Sequence, residues 1–148
     1  MKRFVLDASV AVKWFLPAER EQYLPEAENL FSLYERSAVQ FLVPDVFWLE
    51  VANVFWKTVR RGFWTATEAR AALDETYNLQ FDSIQSRHLL SLAYTIATDF
   101  GRTLYDSVYI AVAMSENCEV LTADQRLANA TASKLPVRWI GNYNPGQH

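Results

Sequence analysis

The sequence predicts an α/β protein: a three-layer α/β/α domain built on a central parallel sheet of four to five short strands. Three observations carry this. Short apolar runs recur along the chain, at Phe4-Val5-Leu6, Phe41-Leu42-Val43, Val120-Leu121 and Val137 to Ile140. The runs are mostly continuous rather than alternating, the pattern of strands buried on both faces in a parallel sheet. Segments with helical spacing separate them, so strand and helix alternate from end to end.

The bulk composition agrees. A chain of 148 residues, 51% hydrophobic and 21% charged, suits one globular domain with a proper core. We expect that domain over residues 1–141, followed by a polar, frayed tail over 142–148. No repeat, low-complexity stretch or interdomain linker interrupts it. A net charge of −3 argues against a broad basic surface for nucleic acid. It leaves room for a small nucleic-acid site held by metal ions. The lone Cys118 permits neither an internal disulfide nor a cysteine zinc cluster, which fits a reducing compartment, and it reads as a small buried hydrophobe. Met1-Lys2-Arg3 followed by apolar residues has the outline of a leader sequence, but Asp7 and Lys13 break the apolar stretch. The expectation is no signal peptide and no membrane span, hence a cytoplasmic protein.

Taken in order, Phe4 to Leu6 is the first strand, and a short helix over Val10 to Leu16 is stopped by Pro17. Ala18 to Ser37 reads as mostly helical, with Pro25 marking its start or a kink. Phe41 to Val43 is the second strand. Pro44-Asp45 then stops the strand and opens a helix from Val46 to Arg61, closed by Gly62. Thr67 is placed to cap a helix over Glu68 to Asn78. Phe81 to Ile84 is a weak strand or extended link. Ser86 to Phe100 is helical and ends at Gly101; Thr103 opens a helix from Leu104 to Asn117. Glu119 to Thr122 is a strand, and Asp124 precedes a helix reaching Ser133. Val137 to Ile140, after Pro136, is the last strand.

Four acidic residues fall where a sheet edge would gather them. Asp7 ends the first strand, at the edge where open α/β sheets bind ligands; it equally suits the N-cap of the next helix. Asp124 follows the strand ending at Thr122 and has the same two readings. Asp106 lies three residues after Thr103, so it suits a near capping box and the positive helix end as well as a site. Glu50 lies in the helix after Pro44. At about 100° per residue, Glu50, Asn53, Lys57, Arg60 and Arg61 fall on one narrow stripe with Val46, and the rest of the wheel is apolar or Thr. The stripe is either the wet face of an amphipathic helix or the wall of a groove. The width of the apolar arc favours the groove. A carboxylate beside an amide and cations there suits a metal site next to a phosphate track.

Metal-assisted phosphodiester cleavage is the chemistry that uses such a set. Mg²⁺ and Mn²⁺ prefer carboxylate oxygen and water, and one or two ions, about 3.5–4 Å apart when paired, activate water and stabilise attacking and leaving oxygens. Other catalytic sets are poorly supplied. His88 is the only internal histidine and has no nucleophile to work with. The glycines, Gly62, Gly101, Gly141 and Gly146, form no phosphate loop.

Four stretches then carry a resemblance across nearly the whole chain: Val5-Leu6-Asp7-Ala8-Ser9; Pro44-Asp45 through Glu50-Val51-Ala52-Asn53; Leu104 to Ala113; and Leu121-Thr122-Ala123-Asp124-Gln125-Arg126-Leu127. Together they resemble the PIN-domain ribonuclease family, in particular the VapC-like toxins of bacterial and archaeal toxin–antitoxin pairs. The resemblance implies an Mg²⁺- or Mn²⁺-dependent endoribonuclease with RNA as substrate. Asp7, Glu50, Asp106 and Asp124 match the family's acidic quartet, with Asp7 and Asp106 its most regular metal ligands. Ser9 and Thr122 match hydroxyl positions that support the site. Lys57, Arg60, Arg61 and Arg102 are candidates for holding flanking phosphates. The family also implies a homodimer and a small antitoxin whose C-terminal segment lies across the active-site groove. The match departs from a common form at Ser107, where alanine is frequent. Two other classes stand beside this reading. One is a catalytically silent scaffold on the same fold. The other is a phosphoacceptor module, which would want an acidic neighbour for Asp7 and a lysine after the last strand; Gly141-Asn142 stand there instead.

Overall fold

The structure is a computed structural model that describes residues 1–143. Residues 144–148, most of the tail expected at 142–148, lie outside the described residues. Asn142 belongs to a last 3-10 turn, and Tyr143 is buried with its ring edge-on to Phe4 at 5.6 Å. The packed body therefore includes both.

One five-stranded, all-parallel sheet forms the centre, in the order β3-β2-β1-β4-β5. The strands are β1 (Lys2–Leu6), β2 (Val39–Pro44), β3 (Asp82–Ile84), β4 (Glu119–Thr122) and β5 (Val137–Trp139). Phe4, Val5, Leu6, Phe41, Val43, Val120 and Leu121 are wholly buried, which is why their runs are continuous. Among the described residues, seven α-helices cover the sheet: α1 (Ala8–Ala11), α2 (Leu24–Glu35), α3 (Phe47–Arg60), α4 (Ala66–Thr76), α5 (Leu90–Phe100), α6 (Leu104–Ser115) and α7 (Gln125–Thr131). α6 lies across β1, β2 and β4, and α5 packs on α6. Every residue from Ser107 to Ala113 in α6 is buried. A helix buried all round has no polar stripe to show. Ser107, the odd residue there, satisfies its hydroxyl on the Thr103 carbonyl at 2.8 Å.

Several boundaries differ from the sequence reading. The helix expected over 10–16 starts at Ala8 and tightens into a 3-10 turn at Val12–Trp14. The segment expected to be helical from Ala18 splits: a 3-10 turn covers Ala18–Arg20, and α2 begins at Leu24 with Pro25 in its first turn. Proline has no N–H to give and clashes with a preceding helical turn, so it can start this helix but not sit inside it. α4 is capped by Thr65, not Thr67: the Thr65 hydroxyl accepts the Glu68 N–H at 3.1 Å and lies 2.8 Å from the Glu68 carboxylate. The hydroxyl thus accepts from the backbone and donates to the carboxylate of the same Glu68, an acid three residues on; Thr67 has none there.

Candidate active site

The topology selects the site. From β1 the chain steps outward through β2 to β3, then crosses to β4 and β5 on the other side. The direction reverses between β1 and β4, and the crevice outside their carboxyl ends is where open sheets bind ligands. Asp7 directly follows β1, and Asp124 comes two residues after β4.

The Asp7 N–H donates to the Leu121 carbonyl at 3.0 Å, tying the two strand ends together. Its side chain caps nothing, although the residue sits at the N-cap position of α1. Instead Oδ2 accepts two hydroxyls, Ser9 at 2.6 Å and Thr122 at 2.8 Å. Those hydroxyls accept in turn from the backbone: Ser9 from the Ala123 N–H and Thr122 from the Asp124 N–H, each at 3.0 Å. Their protons are thereby committed to Asp7. No hydrogen bond among the described residues engages Oδ1. Burial pushes the Asp7 carboxyl up to about 6; the two hydroxyls pull it down, and the charges of Asp106 and Asp124 raise it further.

Glu50 comes from α3, one turn into the helix. Its Oε1 accepts the Tyr109 hydroxyl at 3.0 Å. Burial pushes Glu50 up to about 7, opposed by Tyr109 and reinforced by Asp7 and Asp106. Burial and the same two carboxylates, Asp7 and Glu50, push the Tyr109 phenol far above its ordinary value, so it stays a neutral donor. Asp106 sits in the first turn of α6, where the Thr103 hydroxyl accepts its N–H at 3.0 Å. Asp124 is a true N-cap: its Oδ1 accepts the Arg126 and Leu127 N–H groups at 3.0 and 3.2 Å. The cap uses one oxygen and leaves Oδ2 facing Arg102, whose guanidinium is 3.3 Å from Asp106 and 4.0 Å from Asp124.

Four carboxylates from four separate elements near a sheet switch point are the arrangement expected of the family named above. A family model described as PIN domain matches residues 4–132 and spans all four. The chain belongs to the PIN domain family. It is 32% identical over 129 residues to Ribonuclease VapC3 of Pyrobaculum aerophilum, covering 85% of this chain and 92% of that one. Among solved structures it is similar to PAE2754 from Pyrobaculum aerophilum, with a TM-score of 0.67 at 21% identity over 95% of this chain and 85% of that chain. A toxin–antitoxin complex from Klebsiella pneumoniae gives a TM-score of 0.58 at 16% identity, covering 91% of this chain and 95% of that chain. VapBC2 from Rickettsia felis, solved with a DNA fragment from its promoter, gives 0.59 at 12% identity, covering 93% of this chain and 98% of that chain.

In this PIN domain the groove beside the acids has a volume of about 720 Å³ and is lined by Glu50, Asn53, Asp106, Thr103, Tyr105 and Leu49, among others. Asn53 therefore lines the same groove as Glu50 and Asp106. Lys57, Arg60 and Arg61 do not line it; they continue the stripe about 10–16 Å further along α3. The Arg60 guanidinium lies over the Trp56 ring at 5.2 Å. Tyr109 is the residue the sequence reading left without a role. Its signal was there: it stands three residues after Asp106, on the same helix face, as a large phenol in an otherwise apolar run.

The donors are all hard oxygens, which suits Mg²⁺ or Mn²⁺ better than softer ions. Among the described residues, no group of three or more His, Cys, Asp or Glu side chains is gathered as a ready metal cage. An ion here would rest on one or two carboxylates and keep several waters, the habit of Mg²⁺ in phosphate chemistry.

Proposed function

We propose that this PIN domain is a divalent-metal-dependent endoribonuclease and the toxin of a toxin–antitoxin pair. The observation that carries the reading is the set of Asp7, Glu50, Asp106 and Asp124 around one crevice, with Oδ1 of a buried Asp7 left free of hydrogen bonds. Its relatives, a ribonuclease and toxin–antitoxin proteins, favour it over a silent scaffold. Asp7 and Asp106 would hold Mg²⁺ or Mn²⁺, with Glu50 and Asp124 direct or through water. Such an ion supplies a Lewis acid and an activated water at the phosphodiester.

The chain's own residues do the rest. Ser9 and Thr122 fix Oδ2 of Asp7, so Oδ1 points one way. Tyr109 fixes Glu50 by the same means, and a neutral phenol does so without adding charge. Asn53 offers the groove an uncharged donor and acceptor beside Glu50. Arg102 is the cation nearest the acids and suits a flanking phosphate; Lys57, Arg60 and Arg61 suit phosphates further along the strand. The partners in this reading are an RNA strand, a small antitoxin and a second copy of the chain, acting together in the cytoplasm. Leu90 and Tyr94, one turn apart on α5, are exposed and apolar and suit such a dimer.

Asp7→Asn is the test. An asparagine carbonyl still accepts from Ser9 and Thr122, so the fold survives while the anionic oxygen is lost. RNA cleavage in Mg²⁺ or Mn²⁺ falls by at least about a thousandfold in this variant, and excess chelator stops the wild-type protein. Undiminished cleavage under either condition would refute the reading.

A further inference from the structure

Arg102 is held at an unusual place. Gly101 ends α5 in the left-handed region at φ 64°, the Arg102 N–H closes back on the Ala97 carbonyl at 3.1 Å, and Thr103 caps α6 directly afterwards. The two helix ends leave the backbone of Arg102 no freedom, and they aim its side chain between two carboxylates from different elements. Nη2 is 3.3 Å from Oδ2 of Asp106 and 4.0 Å from Oδ2 of Asp124. The other oxygen of Asp124 is already occupied by the cap bonds of α7.

The contacts are loose. A guanidinium that serves as a permanent structural partner forms two parallel bonds to one carboxylate. Here one nitrogen is shared between two acids, and the buried Nε has no hydrogen-bond partner at all. A cation spread this way gains little from either acid, yet it neutralises both. From the reading of these acids as metal ligands, on which this rests, we infer that Arg102 is a built-in rival of the metal: a displaceable cation that holds Asp106 and Asp124 together until a divalent ion takes their oxygens.

Competition has a signature that a purely structural ion pair lacks. Removing a structural arginine weakens metal binding, because the acids it positions spread apart. Removing a rival strengthens it. The experiment is calorimetric titration of the purified full chain with Mn²⁺ alone, comparing wild type, Arg102→Met, Arg102→Lys and Asp7→Asn. Arg102→Met binds Mn²⁺ roughly fivefold more tightly, the size expected of losing a partly exposed ion pair, and Arg102→Lys stays near wild type because the charge remains. Thermal unfolding gives a second readout. Arg102→Met unfolds at a lower temperature than wild type in chelator and gains more than wild type when Mn²⁺ is added. Unchanged or weaker Mn²⁺ binding by Arg102→Met, with wild type binding normally, overturns the rivalry and leaves the metal site standing. Failure of wild type to bind, or binding undiminished in Asp7→Asn, overturns the metal site and the rivalry together.

Discussion

At the scale of single residues, the feature with most consequence is that two carboxyls are easier to protonate in the folded protein than in a free chain. Asp7 moves from 3.8 to about 6 and Glu50 from 4.5 to about 7, each mainly through burial. Between about pH 4 and pH 7 the folded state therefore binds more protons than the unfolded one, and the stability these groups contribute drains away as pH rises. For Asp7, two units correspond to roughly 3 kcal/mol. Metal-free protein in chelator should show this by denaturant titration at several pH values. Wild type loses stability relative to Asp7→Asn as pH climbs from 4.5 to 7.5, and at the upper end the variant is the more stable of the two. Added Mg²⁺ shrinks or reverses the gap, because only the ionised carboxylate binds the ion. Equal pH slopes for the two proteins would show that Asp7 ionises without strain.

At the scale of elements, the connection between α5 and α6 is three residues long and does three things: Gly101 ends one helix, Arg102 reaches the acids, and Thr103 starts the next. A Cβ at position 101 would meet nothing within 4 Å, so the φ of 64° is its only reason to be glycine. Gly101→Ala should cost about 1 kcal/mol of unfolding free energy through backbone strain alone. Chemical denaturation measures it, and a value near zero would mean that the turn relaxes. This connection was legible in the sequence because a glycine stop and a threonine cap are local signals. α3 was legible for a related reason: its wide apolar arc and narrow polar stripe put Glu50 and Asn53 in the groove. Failures came where signals competed. Thr67 looked like the cap of α4, and the cap is Thr65, whose hydroxyl bonds both the Glu68 N–H and the Glu68 carboxylate. Asp7 and Asp124 looked alike in sequence, yet one is a bare carboxylate fixed by two hydroxyls and the other a working N-cap. That difference depends on Ser9 and Thr122 meeting across β1 and β4, a contact between residues far apart in the chain. Tyr109 bonded to Glu50 is equally non-local.

At the scale of the whole molecule, the strand order brings Asp7 and Asp124 to one sheet edge, α3 and α6 bring Glu50 and Asp106 beside it, and the surface next to them is more apolar than a lone domain needs. The aromatics crowded into the first half of the sequence divide in two. Phe47 and Phe55 are buried, and Trp14, Phe15, Trp48 and Trp64 pack against the core. Trp56 and Phe63 stay exposed, as do Leu49 on the same face of α3 as Trp56, and Tyr77 just beyond α4. Clefts between α3 and α4 run along this face, lined by Leu49, Ala52, Trp56, Val59, Leu73 and Tyr77. Leu49 and Ala52 also line the groove of the acids, so the apolar clefts open directly into the proposed active site. A chain laid along α3 could thus bury its apolar side chains and close off the acids at once. That is the economy expected of an inhibitor that neutralises a ribonuclease. Trp56→Glu tests it. The side chain is 58% exposed, so the change leaves the fold within about 0.5 kcal/mol of wild type. Because Arg60 lies over the Trp56 ring and is assigned to phosphate, the variant's own RNA cleavage is measured first, and inhibition is read against that uninhibited rate. A glutamate in an apolar contact, however, must be desolvated without a partner, and the antitoxin should need at least about tenfold higher concentration to stop cleavage. Inhibition at the wild-type concentration would mean that the antitoxin enters from another side, and the exposed face of α3 would then belong to some other contact.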